Sequence, residues 1–138
     1  MELDEIIDTF EFLDDWEDKY RLVIDLGKDL PELADTDRTD ANLVRGCQSQ
    51  VWLVTDVDES GRLKLAMDSD AHIVRGLIAI LLAALNARTP QEILAYDTRA
   101  LFDKLGLLTH LSAARGNGLM SMLERIRSIA QSIEASST

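Results

Sequence analysis

Apolar side chains recur every three or four positions in the first 28 residues, with acidic residues between them. This period predicts an amphipathic helix over residues 2–13 and a second helix that begins after an N-cap at Asp14 or Asp15. Gly27 is the expected left-handed stop of the second helix. The following residues, 29–42, are polar without a consistent period, so we expect a surface connection around a short turn.

The period changes from 3.6 to 2 in the middle of the chain, which is typical of β-strands. Apolar residues alternate over residues 51–57 and again over 63–67, and the turn-forming run 58–61 separates them. These runs predict a β-hairpin. Residues 43–45 are a candidate third strand, with residues 46–50 as the bend, so the expected sheet has three antiparallel strands.

Helical spacing returns after the hairpin. A strongly apolar helix over residues 71–85, capped by Ser69 or Asp70, is expected to cover the sheet. Thr89-Pro90-Gln91-Glu92 has the form of a capping box with proline at the first helical position. Three more helices are expected: one ending at Tyr96, one bracketed by Asp97 and Gly106, and one beginning between Ser112 and Gly118. The order of elements predicts one α+β domain over residues 1–138, with its sheet covered by helices.

The charge distribution limits the partners that we expect. The formal net charge is −11, and the acidic excess lies in residues 1–40, which contain fifteen acidic and four basic residues. Such a surface repels phosphate backbones and the later basic residues are scattered, so no nucleic-acid partner is expected. The acidic region either binds a partner with a basic surface or is a solvated face. No apolar run reaches the about 18 residues of a membrane span, and the acidic start predicts a cytoplasmic location.

Cys47 is the only cysteine of the chain, which excludes an internal disulfide, a CxxC pair and a multi-cysteine metal site. It follows Gly46 in the predicted bend, where a side chain can be presented to another protein. Backbone N–H groups of the bend, with Arg45 nearby, would favour a thiolate or persulfide anion there. The alternative is an inert cysteine in the core.

The residues around Cys47 also form a specific motif. The run VRGCQSQVW at residues 44–52 resembles the signature of the SufE-like sulfur acceptors, which include the CsdE type. The resemblance extends in order over nearly the whole chain, through residues 30–33, 68–71, 73–79, 89–90 and 110–112 and Arg115. Two positions depart from the family pattern: Ala113 stands where proline is common, and Met67 stands where glycine is common. Both concern element boundaries and leave the cysteine motif intact.

The resemblance implies a protein that takes sulfane sulfur from the persulfide of a pyridoxal-phosphate cysteine desulfurase of the SufS or CsdA type. It further implies that the sulfur is carried on Cys47 and passed to an iron–sulfur scaffold or another acceptor. The desulfurase would be stimulated because its product is removed. The resemblance also implies a fold similar to that of IscU-type scaffold proteins. Exchange between a persulfide and a thiolate needs one accessible cysteine, so no cofactor or metal is expected. We expect an accessory protein, monomeric or weakly dimeric, rather than a stand-alone enzyme.

Cys47 is therefore the expected reactive residue. The supporting loop is expected to comprise Arg45, Gly46, Gln48, Ser49 and Gln50, and more distant support to come from Asp70, His110 and Arg115. We expect the loop to be fairly buried at rest and to swing outward on docking. Two other functions remain open: a regulatory binding protein with Cys47 as a redox sensor, and a hydrolase in which His72 or His110 activates the cysteine.

Overall fold

The computed structural model describes residues 2–136. Its first two helices, α1 (Leu3–Phe12) and α2 (Trp16–Lys28), lie where the helical period predicted them. Of the two candidate caps for α2, Asp15 is used: its carboxylate accepts a hydrogen bond from the Glu17 N–H at 3.0 Å. Helix α1 buries part of its apolar face in the core and exposes its acidic residues. Within residues 2–136, no helix combines the length and the apolar character needed to cross a membrane.

Gly27 does not stop α2, contrary to the sequence prediction, because the helix continues to Lys28. The glycine is explained by α3 (His72–Leu85), which crosses α2 at Gly76. A Cβ atom on Gly76 would lie 2.0 Å from the Val23 carbonyl oxygen, and one on Gly27 would lie 2.7 Å from the Gly76 nitrogen. The two glycines therefore permit a close approach of the two helix backbones.

The predicted hairpin is confirmed, but the predicted third strand is wrong. Strands β1 (Val51–Val57) and β2 (Leu63–Ser69) pair antiparallel, with Val51 opposite Ser69 and Val57 opposite Leu63. They form the two-stranded sheet of the described residues. Leu43 makes an isolated bridge with Trp52, after which the chain turns away at Gly46, where φ is 90°. An antiparallel third strand would extend along β1 through the residues before Leu43, but these form the 3₁₀ helix Asp40–Asn42 instead.

The segment between β2 and α3 also differs from the prediction. Neither Ser69 nor Asp70 occupies the N-cap of α3, which is Ala71. The Asp70 carboxylate instead accepts a hydrogen bond from the Gln50 N–H at 3.1 Å, and the Ser69 hydroxyl donates to the Gln50 carbonyl at 2.7 Å. Both side chains thus bind the backbone just before β1.

The C-terminal half is helical, as predicted. It contains α4 (Pro90–Ala95), α5 (Thr98–Lys104), α6 (Leu107–His110) and α7 (Ala113–Ser136). The capping box at Thr89 and Glu92 opens α4, Asp97 caps α5, and Gly106 follows α5 with φ 75°. The four-residue helix α6 was not expected, whereas α7 begins within the predicted interval.

The core lies between the inner face of the hairpin and the helices α3 and α7. Its buried members include Leu53, Leu65 and Met67 from the sheet, Leu77, Ile78 and Leu81 from α3, and Leu119, Met122 and Ile126 from α7. The start of β1 and the first half of α7 therefore meet the same buried cluster, and the residues just before β1 lie beside α7.

Asp68 on β2 is fully buried and forms two ion pairs. Arg38 donates to its Oδ2 at 2.7 Å, and Arg75 donates to its Oδ1. Burial alone would raise the pKa of this carboxyl, but backbone hydrogen bonds from Leu33 and Ser69, together with the two arginine charges, hold the pKa below its usual value. The network connects the chain after α2 to the sheet.

Candidate functional site

Cys47 lies in a loop of residues 45–50, called the Cys47 loop below, which leads into β1. At the first end of the loop, the Val44 N–H donates to the Val51 carbonyl at 2.8 Å. At the second end, two side chains from the end of the hairpin hold the backbone of Gln50. Both ends of the loop are therefore anchored to the hairpin.

The Cys47 loop packs against the first half of α7. Gly46 has φ 90°, and a Cβ atom there would lie 2.5 Å from the Ser121 hydroxyl oxygen. The Cys47 thiol donates to the Gly118 carbonyl, with 3.5 Å between sulfur and oxygen. Gly46 is therefore needed both for the left-handed turn and for the close contact with the helix.

A small cavity lies beside the Cys47 sulfur. Its volume is about 20 Å³, roughly one water-sized sphere. Its walls contain three polar residues, Gln48, Ser49 and Arg115, and apolar side chains from β1, α3 and α7, among them Val51, Val74, Leu77, Leu119 and Met122. The space therefore accommodates one more atom next to the thiol, whereas a small-molecule substrate needs about 300 Å³ or more.

The position of Cys47 favours the neutral thiol. The residue is half-buried, and this burial raises the pKa of the Cys47 thiol. Arg45 was expected to stabilise the thiolate, but it does not contribute to this change in the pKa of Cys47, and its own side chain is exposed to solvent. In this conformation the sulfur is consequently a weaker nucleophile than an exposed cysteine would be.

The other candidate site residues from the sequence fall into two groups, those that line the cavity and those that hold the loop or the helix beside it. Gln48, Ser49 and Arg115 line the cavity with the thiol. Gln50 and Asp70 are hydrogen-bonded to each other at the end of the loop, so Asp70 supports the loop backbone rather than the sulfur. The start of α7 is stabilised because the Arg115 N–H donates to the Ser112 hydroxyl at 3.2 Å, which places Arg115 in the first turn of the helix.

The two histidines lie outside the cavity. The ring of His110 stacks on Trp16 with 3.6 Å between centroids, and its Nδ1 is 3.0 Å from the Gly106 carbonyl oxygen. His72 is exposed at the start of α3. Among residues 2–136, no imidazole lines the cavity or hydrogen-bonds to the Cys47 sulfur. The hydrolase hypothesis therefore lacks the base that it requires.

Sequence reasoning missed the part of the site that comes from distant helices. The residues of α3 and α7 that it did not assign to the site are Val74, Leu77, Ala114, Gly118, Leu119, Ser121 and Met122. One signal existed: a glycine inside a helical pattern is costly and usually has a packing reason, so Gly118 could have been noticed. The remaining residues carry no local mark, because helical periodicity indicates burial but not which loop is contacted.

Comparison with known proteins confirms the resemblance. Residues 4–130 match the family model described as SufE: Fe-S metabolism associated domain. An uncharacterized SufE-like protein of Rhizobium etli is 56% identical over 128 residues, covering 91% of this chain and 86% of the relative. Another, of Rhizobium meliloti, is 53% identical over 132 residues, with 94% of each chain covered. The solution structure of a hypothetical protein from Thermus thermophilus has a similar fold, with a TM-score of 0.77, 18% identity and 96% of both chains covered. On the family match and these identities, the chain belongs to the SufE family, whose domain is associated with iron–sulfur metabolism.

Proposed function

We propose that this chain accepts sulfur from a pyridoxal-phosphate cysteine desulfurase, activates that enzyme, and carries the sulfur on Cys47 to an iron–sulfur scaffold or another acceptor. The observation that supports this most directly is the cavity of about 20 Å³ beside the Cys47 sulfur. A persulfide differs from a thiol by one sulfur atom, and the cavity has room for one atom. Membership of a family associated with iron–sulfur metabolism indicates where such sulfur is consumed.

The transfer is an exchange between a thiol and a persulfide. The Cys47 thiolate attacks the outer sulfur of the donor's cysteine persulfide. The S–S bond of the donor breaks, and the donor cysteine leaves as a thiolate. Cys47 then holds the outer sulfur, with its proton, as a persulfide. The exchange leaves the overall oxidation state unchanged, and freeing the donor cysteine allows the desulfurase to begin another turnover.

The resting loop shields the sulfur in part: Cys47 is half-buried, whereas Arg45, Gly46, Gln48 and Gln50 are exposed, so the loop as a whole is less buried than expected. Burial raises the pKa of the Cys47 thiol, and α7 covers one side of the sulfur through Gly118. Movement of the loop away from α7 would return the thiol to water and lower the pKa towards its usual value. We therefore infer a closed state that shields the thiol or persulfide and an open state in which the loop enters the donor's active site.

Intact-mass analysis tests the transfer step. After incubation with a cysteine desulfurase and cysteine, the chain is expected to gain the mass of one sulfur atom and to increase sulfide release. Cys47→Ser is expected to gain nothing and to leave the desulfurase at its basal rate. A matched control moves the thiol to the exposed end of α7, as Ser132→Cys in the Cys47→Ser background. Stimulation by either variant at the level of the parent would show that the proposed transfer through Cys47 is wrong.

Hydrogen exchange tests the loop movement. Binding of the desulfurase is expected to change the exchange of residues 44–50, because the anchoring bonds at Val44 and Gln50 are strained or released when the loop opens. The paired strands β1 and β2 serve as an internal control, since their ladder stays intact. Unchanged exchange of the loop in a complex that does transfer sulfur would contradict the movement.

The redox-sensor hypothesis fits the geometry less well. Redox-sensing cysteines have a lowered pKa and an accessible sulfur. Cys47 is half-buried and its pKa is raised by that burial. The same features suit a sulfur carrier, because a shielded persulfide is less exposed to other thiols.

A further inference from the structure

A second cleft lies between the turn that joins α4 to α5 and the middle of α7. Its volume is about 300 Å³, at the lower end of the range for small-molecule sites. Its walls include Leu94, Tyr96, Thr98, Arg99, Leu123 and Arg127. None of these residues lines the cavity beside the Cys47 sulfur, so the two sites are separate.

The hydroxyl of Thr98 on this wall has no partner. The residue is 2% exposed, and its hydroxyl forms no hydrogen bond within the described part of the chain. Buried hydroxyl groups are nearly always paired, because an unpaired one loses its hydrogen bonds to water without replacement. Because Thr98 lines the cleft, its unpaired hydroxyl is the group that a polar ligand bound there would satisfy.

Two arginines give the cleft a positive charge. Arg127 donates from Nη1 to the Leu94 carbonyl at 3.2 Å, which holds its guanidinium at the cleft. Over residues 2–136, neither Arg127 nor Arg99 has a carboxylate within 4.0 Å. The acidic residue on the wall, Asp97, accepts a hydrogen bond from the Ala100 N–H as the cap of α5. The cleft is therefore a locally basic site on a protein of net charge −11.

We propose that this cleft binds the phosphate group of a small molecule. Guanidinium groups match the oxygens of phosphate in geometry and charge. Arg99 and Arg127 together outweigh the single negative charge of Asp97 on the same wall, so the cleft attracts the charge of about −1.5 to −2 on a phosphate monoester, and the Thr98 hydroxyl adds a neutral donor. A cleft of about 300 Å³ holds a small molecule, so the proposed ligand is a free phosphorylated small molecule and not a membrane or a nucleic acid.

Titration with inorganic phosphate tests the proposal on the full chain, with nitrogen–proton correlation spectra recorded at constant ionic strength. Phosphate is expected to shift the backbone signals of residues 94–99 and the Nε–H signal of Arg127 in a saturable manner. Acetate at the same ionic strength is expected to shift them much less. Shifts scattered over the whole surface would refute binding at this cleft. Equal shifts with acetate would show that the cleft does not select phosphate, which would refute the proposed ligand.

Variants separate binding from stability. Arg99→Gln is expected to weaken phosphate binding by at least about tenfold, because a charge-assisted hydrogen bond is lost. Arg21→Gln, on the exposed face of α2, is the matched control and is expected to leave binding unchanged. Thr98→Val is expected to maintain or raise the thermal stability of the free chain while weakening phosphate binding, since the hydroxyl is unpaired without ligand. Unchanged affinity in Arg99→Gln would overturn the proposal, and unchanged affinity in Thr98→Val would remove the hydroxyl from it.

Discussion

The Ser69 hydroxyl offers a direct test of how the Cys47 loop is held. It donates to the Gln50 carbonyl at 2.7 Å and accepts from the Ala71 N–H at 3.2 Å, in a residue that is 4% exposed. Ser69→Ala removes both bonds. The Gln50 carbonyl then keeps only the longer contact from the Asp70 N–H, at 3.4 Å. The substitution therefore weakens the loop anchor without changing any residue on the cavity wall.

The size of the effect follows from one hydrogen bond. A neutral hydrogen bond contributes about 0.5–1.5 kcal/mol net. Only the bond to Gln50 breaks when the loop opens, because Ala71 belongs to the segment that stays in place. We therefore expect the closed loop to lose about 1 kcal/mol, which raises the open population about fivefold at 25 °C.

Alkylation of the native chain measures this population. Cys47 is the only thiol of the chain, so the rate of reaction with iodoacetamide reports on it alone. At fixed pH the rate is expected to rise about fivefold in Ser69→Ala, in proportion to the open population. Ser128→Ala removes a hydroxyl from an exposed position on α7 and is expected to leave the rate unchanged.

Low concentrations of urea distinguish local opening from unfolding. A local opening exposes little surface, so the alkylation rate is expected to be nearly independent of urea well below the unfolding transition. An unchanged rate in a folded Ser69→Ala chain would refute the anchoring role of the hydroxyl. A rate that rises steeply with urea from the start would show that the thiol reacts through global unfolding, which would refute the loop opening itself.

Three further predictions concern stability and ionisation. Gly76→Ala is expected to lower the free energy of unfolding by about 3 kcal/mol, the upper end for overpacking, because the new Cβ would lie 2.0 Å from the Val23 carbonyl oxygen. For Gly116→Ala the new Cβ would meet no atom within 4 Å, so the free energy of unfolding is expected to rise by about 0.5–1 kcal/mol through helix propensity. Urea unfolding measures both changes, and a change in the same direction for both variants would contradict the packing argument. Since the pKa of Asp68 is lowered in the folded state, its stabilisation is present above the unfolded pKa of about 3.9 and is lost as the pH falls below it. Urea midpoints measured across this range should decline more steeply for the parent than for Asp68→Asn, and parallel declines would contradict the role of the carboxyl. The alkylation rate of Cys47 should reach half its maximum above the usual thiol pKa of about 8.5 in the folded chain, and a midpoint at or below that value would contradict the effect of burial.

The sequence predicted elements well wherever the deciding contacts are close along the chain. Asp15 caps α2 through the N–H of Glu17, and the capping box at Thr89 and Glu92 opens α4 as expected. The motif around Cys47 likewise indicated the family, and it singled out Cys47 as the candidate reactive residue. In each case the signal lies within a few residues, so one sequence contains all of it.

The errors have a common physical cause. Gly27 lacks a side chain because α3 crosses α2 there, not because the helix ends. Asp70 binds Gln50 instead of capping α3. Each outcome depends on a partner that is distant in the sequence, and residue type alone does not identify that partner.

The sequence by itself determined the hairpin and the longer helices and singled out Cys47 as the candidate reactive thiol, since periodicity, caps, turn residues and a local motif act over short stretches of chain. Only the tertiary structure decided what surrounds that thiol. The cavity for one atom, the carbonyl of Gly118 at the sulfur and the raised pKa of Cys47 all arise from α3 and α7 packing against the loop. Burial and cavity volume are properties of packed surfaces, so they exist only once the distant elements have come together.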